Sequence, residues 1–85
     1  MQEKKTVWVT GASSGLGKAT AQAFADAGWL VIGGARSFAE SPSQEETIIR
    51  LPLDVTNPES CKAFAEKAMA ISSRVDALVC AAAEL

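Results

Sequence analysis

The sequence contains no histidine and no tyrosine, and only two of its 85 residues are cysteines. The lack of histidine excludes a Ser-His-Asp triad, a Cys-His pair and any metal site built on imidazole. The lack of tyrosine excludes phenolic acid–base chemistry within these residues. Because nothing indicates a disulfide framework, we expect free thiols in a reducing, cytoplasmic environment.

A basic excess and a long apolar run are missing as well. Eight Lys and Arg residues against ten Asp and Glu residues give a formal net charge of -2 at pH 7. Nucleic-acid binding depends on a basic surface, so we expect no nucleic-acid partner. No apolar run approaches the roughly 20 residues that span a bilayer, and the residues after Met1 show no signal-peptide pattern. We therefore expect no membrane association.

The composition that remains is typical of a folded globular protein, with 48% hydrophobic and 21% charged residues. We expect a single domain over residues 1–85, because one domain usually needs roughly 100–200 residues. Apolar, β-branched segments predict four strands, at 6–10, at 29–32 with a continuation to 36, at 47–51 with a continuation to 55, and at 75–80.

Two helices are predicted between these strands. Helical spacing of apolar residues predicts the first over 16–27, ended by Gly28. The second is expected to begin at a Thr56 or Asn57 cap followed by Pro58. The polar residues 37–46 are predicted to form a loop.

The alternation of strands and helices favours parallel βαβ units with right-handed crossovers. This predicts the amino-terminal half of a doubly wound α/β Rossmann fold, with a parallel sheet in the order 3-2-1-4 and flanking helices. In that order the apolar fourth strand would be an uncovered edge, which favours aggregation. We therefore expect the sequence to be part of a longer protein, truncated after the fourth strand.

A glycine-rich segment, residues 10–17, lies between the first predicted strand and the first predicted helix. Gly11 allows a tight reversal, Gly15 lets an anion approach the backbone, and Gly17 lets the helix pack close to the strand. The free N–H groups of the helix start favour a phosphate there. Ser13 and Ser14 add two hydroxyl donors.

Two alternatives exist for this segment. A P-loop is excluded, because Ala19 follows Lys18 where that motif requires Ser or Thr. A tight strand-to-helix turn without any ligand remains the alternative interpretation.

The segment 10–17, Thr-Gly-Ala-Ser-Ser-Gly-Leu-Gly, resembles the cofactor motif of the short-chain dehydrogenase/reductase family. Residues 53–56, Leu-Asp-Val-Thr, look like the family's second signature, and 76–79 match the strand that precedes its Asn-Asn-Ala-Gly segment. The resemblance covers essentially the whole chain. It implies that Asp54 binds the adenine amino group and that the backbone of Val55 reads the ring edge; the alternative for Asp54 is a turn or helix-capping role.

The cofactor-binding residues implied by the resemblance are Gly11, Ser13, Ser14, Gly15, Leu16, Gly17, Arg36, Ser37, Asp54, Val55, Cys80, Ala81 and Ala82. The sequence departs from the family where Cys-Ala-Ala-Ala, at 80–83, replaces Asn-Asn-Ala-Gly. Contacts there are expected from the backbone. Cys80 is interpreted as a buried strand-end residue, with a reactive thiol as the alternative.

The end of the second strand indicates which cofactor is preferred. An acid there binds the ribose of NAD, whereas a nearby Arg accommodates the 2′-phosphate of NADP. Ala35 takes the place of the acid, Arg36 follows directly, and Ser37 adds a donor. This favours NADP(H) over NAD(H), the alternative being that Arg36 is a solvated loop residue.

The family resemblance implies an oxidoreductase that transfers hydride between nicotinamide and a carbonyl or alcohol of a small molecule. The family's catalytic Ser and Tyr-x-x-x-Lys lie beyond the fourth strand, so no catalytic residue is assigned here. The resemblance also implies a homo-oligomeric parent protein. The alternatives are an inactive NADP(H)-binding module and a fragment without a function of its own.

Overall fold

The computed structural model describes residues 4–13, 15–38 and 48–81. In chain order its elements are β1 (Thr6–Thr10), α1 (Gly15–Asp26), β2 (Leu30–Ala35), β3 (Ile48–Pro52), α2 (Pro58–Ile71) and β4 (Ala77–Cys80). The four strands form one sheet in the order β3-β2-β1-β4, and all neighbouring strands are parallel. The predicted fold class and strand order are confirmed.

The two helices cover opposite faces of this sheet. On the α1 face the buried core residues are Val7, Val9, Ala12, Ala21 and Val31. On the α2 face they are Ile32, Ile49, Leu51, Leu53, Phe64 and Ala68. Strand side chains alternate between the faces, so both sides of the central strands are apolar. Within the described ranges, neither helix is long and apolar enough to cross a membrane.

The end of α1 is a Schellman motif, as the sequence predicts for Gly28. Gly28 has φ +91°, and its N–H donates to the Ala25 carbonyl at 3.0 Å. The N–H of Trp29 donates to the Phe24 carbonyl at 3.0 Å, and the two rings meet edge to face at 4.9 Å. This pattern closes the helix and satisfies its last carbonyls. Because Trp29 belongs to this cap, its predicted place in the second strand is wrong.

Other predicted boundaries shift as well, beginning with α1, which spans Gly15–Asp26 rather than 16–27. β2 extends over Gly33, Gly34 and Ala35 and ends before Arg36. β3 ends at Pro52 rather than continuing to 55, because the next residues enter a turn in which the Asn57 N–H donates to the Asp54 carbonyl at 3.0 Å. β4 begins at 77 rather than 75. Of the predicted loop, 39–46 lie outside the described residues.

A polar cluster joins β1 to β4 at the amino end of the sheet. The Asp76 carboxylate accepts a hydrogen bond from the Thr6 N–H at 2.8 Å and from Arg74 Nε at 2.7 Å. The Asp76 N–H donates to the Thr6 carbonyl at 2.8 Å. The hydroxyls of Thr6 and Ser72 are 3.1 Å apart. These contacts fix the register of the two strands from the end opposite to the glycine-rich turn.

Candidate functional site

The predicted site residues come together at the carboxyl edge of the sheet. Gly11 follows β1, Arg36 follows β2, Asp54 lies two residues beyond β3, and Ala81 follows β4. Carboxyl ends of parallel strands meet at one edge, and ligands of open α/β sheets bind there. Two predicted site residues lie outside the described ranges: Ser14 and Ala82.

The turn after β1 is anchored to β2. The N–H groups of Gly11 and Ala12 both donate to the Gly34 carbonyl, at 2.8 and 3.2 Å. Gly11 has φ +70°, which favours glycine at this position. These two N–H groups are therefore engaged within the fold. A phosphate at this turn would be bound by the N–H groups that follow them, at the start of α1.

Gly15 begins α1 and leaves open space above the backbone. Its φ is +58°, and a Cβ built on it would meet nothing within 4 Å. The neighbouring Ser13 and Leu16 are exposed, Leu16 to 78%. Open space at a helix N-terminus, with free N–H groups and the positive end of the helix dipole, suits an anion. The residues present thus fit the pyrophosphate of a dinucleotide.

Asp54 is held by the turn that connects β3 to α2. Its Oδ1 accepts a hydrogen bond from the Thr56 hydroxyl at 2.6 Å and from the Thr56 N–H at 3.0 Å. These bonds, with a smaller contribution from the positive charge of Arg36, hold the pKa of the Asp54 carboxyl below its ordinary value. The side chain is therefore an ionised acceptor at neutral pH. The turn role that the sequence left open for Asp54 is therefore observed, and the side chain is half-buried.

The predicted cap of α2 is resolved in favour of Asn57. Its Oδ1 accepts from the Glu59 N–H at 3.0 Å, and Pro58 occupies the first helical position. Val55, in the turn before it, is 40% exposed. Asp54 is therefore not the helix cap, and it lies with Val55 in the turn that follows β3 at the carboxyl edge of the sheet.

Arg36 and Ser37 are exposed directly after β2, whereas Ala35 is buried. The position where an acid would approach a ribose therefore carries no carboxylate. The charge of Arg36 makes a small contribution to the lowered pKa of the Asp54 carboxyl, as expected for residues at neighbouring strand ends.

Cys80 departs from its predicted burial. The side chain is exposed, as is that of Leu78 on the same face of β4. The buried residues of α2, Phe64 and Ala68, pack on side chains of β1, β2 and β3, with the Phe64 ring edge to face against that of Trp8 at 5.6 Å. Ala81 continues β4 through an N–H bond to the Thr10 carbonyl at 3.2 Å. The expectation of a buried strand-end cysteine is therefore wrong for the part of the chain that the structure describes.

The family model described as short chain dehydrogenase matches residues 5–84. The chain belongs to the short-chain dehydrogenase family. This assignment accounts for the strand-turn-helix setting of the glycines and for the position of Asp54 after β3.

Two solved structures and one curated protein illustrate the similarity of this short-chain dehydrogenase to others. A chloroplastic protochlorophyllide reductase of Chlamydomonas reinhardtii is 38% identical over 90 residues, covering 96% of this chain and 23% of that protein. A short-chain dehydrogenase from Streptomyces avermitilis superposes with a TM-score of 0.80 at 37% identity, covering 92% of this chain and 30% of that chain. YwfH, an NADPH dependent reductase involved in bacilysin biosynthesis, has a TM-score of 0.76 at 26% identity, covering 89% and 36%. The chain thus spans about a quarter to a third of the length of such relatives.

Two contributors to the site were not identified from the sequence. The Gly34 carbonyl anchors the turn after β1, and the Ser60 hydroxyl accepts from the Asp54 N–H at 2.8 Å. Neither residue belongs to a motif of the sequence. A glycine pair inside an apolar strand was the available signal for the first, and no pattern pointed to the second.

Proposed function

We propose that this short-chain dehydrogenase chain supplies the NADP(H)-binding part of an oxidoreductase that transfers hydride between nicotinamide and a small carbonyl or alcohol. The observation that carries the proposal is the open backbone at Gly15, at the start of α1, on the sheet edge that also presents Arg36 and Asp54. The three positions correspond to the pyrophosphate, ribose and adenine of one dinucleotide.

Each part of the cofactor has a group suited to it. The N–H groups at the start of α1 would bind the pyrophosphate, assisted by the exposed hydroxyl of Ser13. Arg36 would bind the 2′-phosphate, because a guanidinium forms charge-assisted hydrogen bonds with phosphate oxygens. The ionised Asp54 would accept from the adenine amino group. The cofactor itself would supply the hydride chemistry.

Preference for NADP(H) is supported by two observations. Arg36 is exposed and no carboxylate precedes it in β2. The structurally similar YwfH is described as NADPH dependent. Acid–base groups for the hydride step would come from residues outside these 85, since the sequence has no tyrosine. We extend the proposal to a cytoplasmic, homo-oligomeric parent enzyme.

A binding titration tests the proposal. The chain is titrated with 2′,5′-ADP and with 5′-AMP, which differ only in the 2′-phosphate, and binding is followed by calorimetry. Hydrogen bonds to charged groups are each worth about 1.5–3 kcal/mol, so 2′,5′-ADP should bind about tenfold or more tightly. Equal affinities would overturn the NADP(H) preference, and no binding of either nucleotide would overturn cofactor binding.

A further inference from the structure

Ser60 connects the first turn of α2 to the end of β3. Its hydroxyl oxygen accepts a hydrogen bond from the backbone N–H of Asp54 at 2.8 Å, and the contact is partly buried. Ser60 is the third residue of α2, after Pro58 and Glu59. The Asn57 cap and the fixed φ of Pro58 make this first turn rigid. The hydroxyl therefore ties Asp54 to a well-fixed element.

The rest of Asp54 is oriented by three further N–H and O–H hydrogen bonds, from Asn57 and Thr56. The Asn57 N–H donates to its carbonyl at 3.0 Å. Both hydrogen bonds that described residues make to the carboxylate go to Oδ1, from the N–H and hydroxyl of Thr56. Within the described ranges, Oδ2 has no hydrogen-bond donor. The second carboxylate oxygen is thus the one available to a ligand.

We propose that Ser60 is a positioning residue for recognition of the adenine base. It acts through Asp54, by fixing the backbone that carries the free Oδ2 and the following Val55 N–H in the turn after β3. The inference rests on the proposed NADP(H) function and names the part of the site that selects the base. Without the Ser60 hydroxyl, the Asp54 N–H loses its acceptor and the turn is free to shift.

Base selectivity provides a readout that a purely structural role would not change. Hypoxanthine carries a carbonyl oxygen where adenine carries its amino group, so it cannot donate to Oδ2. The probes are NADPH and its hypoxanthine analogue, titrated against the full chain by fluorescence. The wild type should bind NADPH more tightly. We define the base ratio as the affinity for NADPH divided by the affinity for the hypoxanthine analogue. Ser60→Ala should reduce the base ratio about three- to tenfold, which corresponds to the loss of one ordinary hydrogen bond. Ser60→Thr should restore it.

Ser72→Ala is the matched control, because Ser72 lies at the opposite end of α2. Its hydroxyl is 3.1 Å from that of Thr6 at the amino end of the sheet. This variant should lose stability and keep the base ratio of the wild type. Should Ser60→Ala fail to fold, Ser60→Cys replaces the oxygen by a weaker acceptor and should give an intermediate ratio.

The outcomes separate the inference from the proposed function. A lower melting temperature with an unchanged base ratio in Ser60→Ala or Ser60→Cys would overturn the positioning role. Equal binding of both probes by the wild type would also overturn it, while cofactor binding would stand. If the wild type bound neither probe, the proposed function would fail and the inference with it.

Discussion

Gly17 packs so closely on Gly11 that a Cβ on Gly17 would overlap the Gly11 carbonyl oxygen and lie 2.7 Å from the Gly11 carbonyl carbon. The contact joins the first turn of α1 to the residue that ends β1. It explains why the third glycine of the motif is required by the fold itself. A phosphate site at the start of α1 depends on it, because the contact sets how close the helix lies to the sheet.

Gly17→Ala should therefore destabilise the protein severely. Overpacking usually costs about 1–3 kcal/mol. Here the obstructing atoms are backbone atoms of Gly11 and Ala12, which cannot move aside as a flexible side chain would, so we expect a loss of about 3 kcal/mol or more. Urea denaturation followed by tryptophan fluorescence measures it. Lys18→Ala, at the exposed neighbouring position, should stay close to the wild type. Equal midpoints for Gly17→Ala and the wild type would contradict the close contact.

Gly15 and Gly28 offer a matched pair for the phosphate site. Both have positive φ, +58° and +91°, and neither has an atom within 4 Å of a built Cβ. Alanine at either position should cost about 1–2 kcal/mol of conformational strain. Gly15→Ala should in addition weaken NADPH binding about tenfold or more, because its methyl group enters the space assigned to the pyrophosphate. Calorimetry on both variants distinguishes backbone strain from obstruction of the ligand. If Gly15→Ala and Gly28→Ala bound NADPH with equal affinity, the result would argue against a phosphate at Gly15.

The sequence predicted the order of elements because local signals agree with the tertiary fold. β-branched residues mark β1, and Gly28 marks the end of α1 through a conformation that few other residues adopt. Gly34 was predicted to lie at the end of the second strand, and it does, but no pattern in the sequence explained a glycine there. Glycine is required at position 34 by long-range packing, because a Cβ there would lie 2.9 Å from both Leu53 Cβ and Phe64 Cε2. Such contacts depend on packing that a linear pattern does not contain.

The candidate site was predictable where motif and strand end coincide. Asp54 was identified through the resemblance of residues 53–56 to the family's second signature, whereas its support from Ser60 spans six residues and a change of element. Cys80 was misjudged because burial depends on what lies over β4, and the buried side chains of α2 pack on β1, β2 and β3. Orientation and burial are thus properties of the assembled sheet.

Arg36 should determine the choice between the two nicotinamide cofactors. Arg36→Gln removes the guanidinium that we assign to the 2′-phosphate, so affinity for NADPH should fall about tenfold or more while affinity for NADH stays nearly constant. The preference of the wild type for NADPH over NADH should also weaken as the salt concentration rises. Lys67→Gln is the control, because it removes one exposed positive charge that lies on α2. A parallel loss of affinity for NADH would show that Arg36 supports the fold and not the phosphate.

The carboxylate of Asp76 should make the stability of the protein depend on acid pH. The Arg74 side chain and the Thr6 N–H hold the pKa of Asp76 below its ordinary value of 3.8. The stabilisation is therefore fully present above pH 3.8 and is lost as pH falls through the lower folded-state pKa. Asp76→Asn removes this contribution at every pH.

The stability difference between the wild type and Asp76→Asn should thus be largest at neutral pH and shrink below about pH 4. Urea denaturation at pH 7, 5 and 3 measures the difference. Glu66→Gln, on the exposed part of α2, controls for the loss of one carboxylate. Asp54, whose pKa is also lowered, keeps some acid sensitivity in both proteins. If the stability difference between the two proteins stayed constant down to pH 3, the packing and size of the Asp76 side chain, rather than its charge, would join β1 to β4.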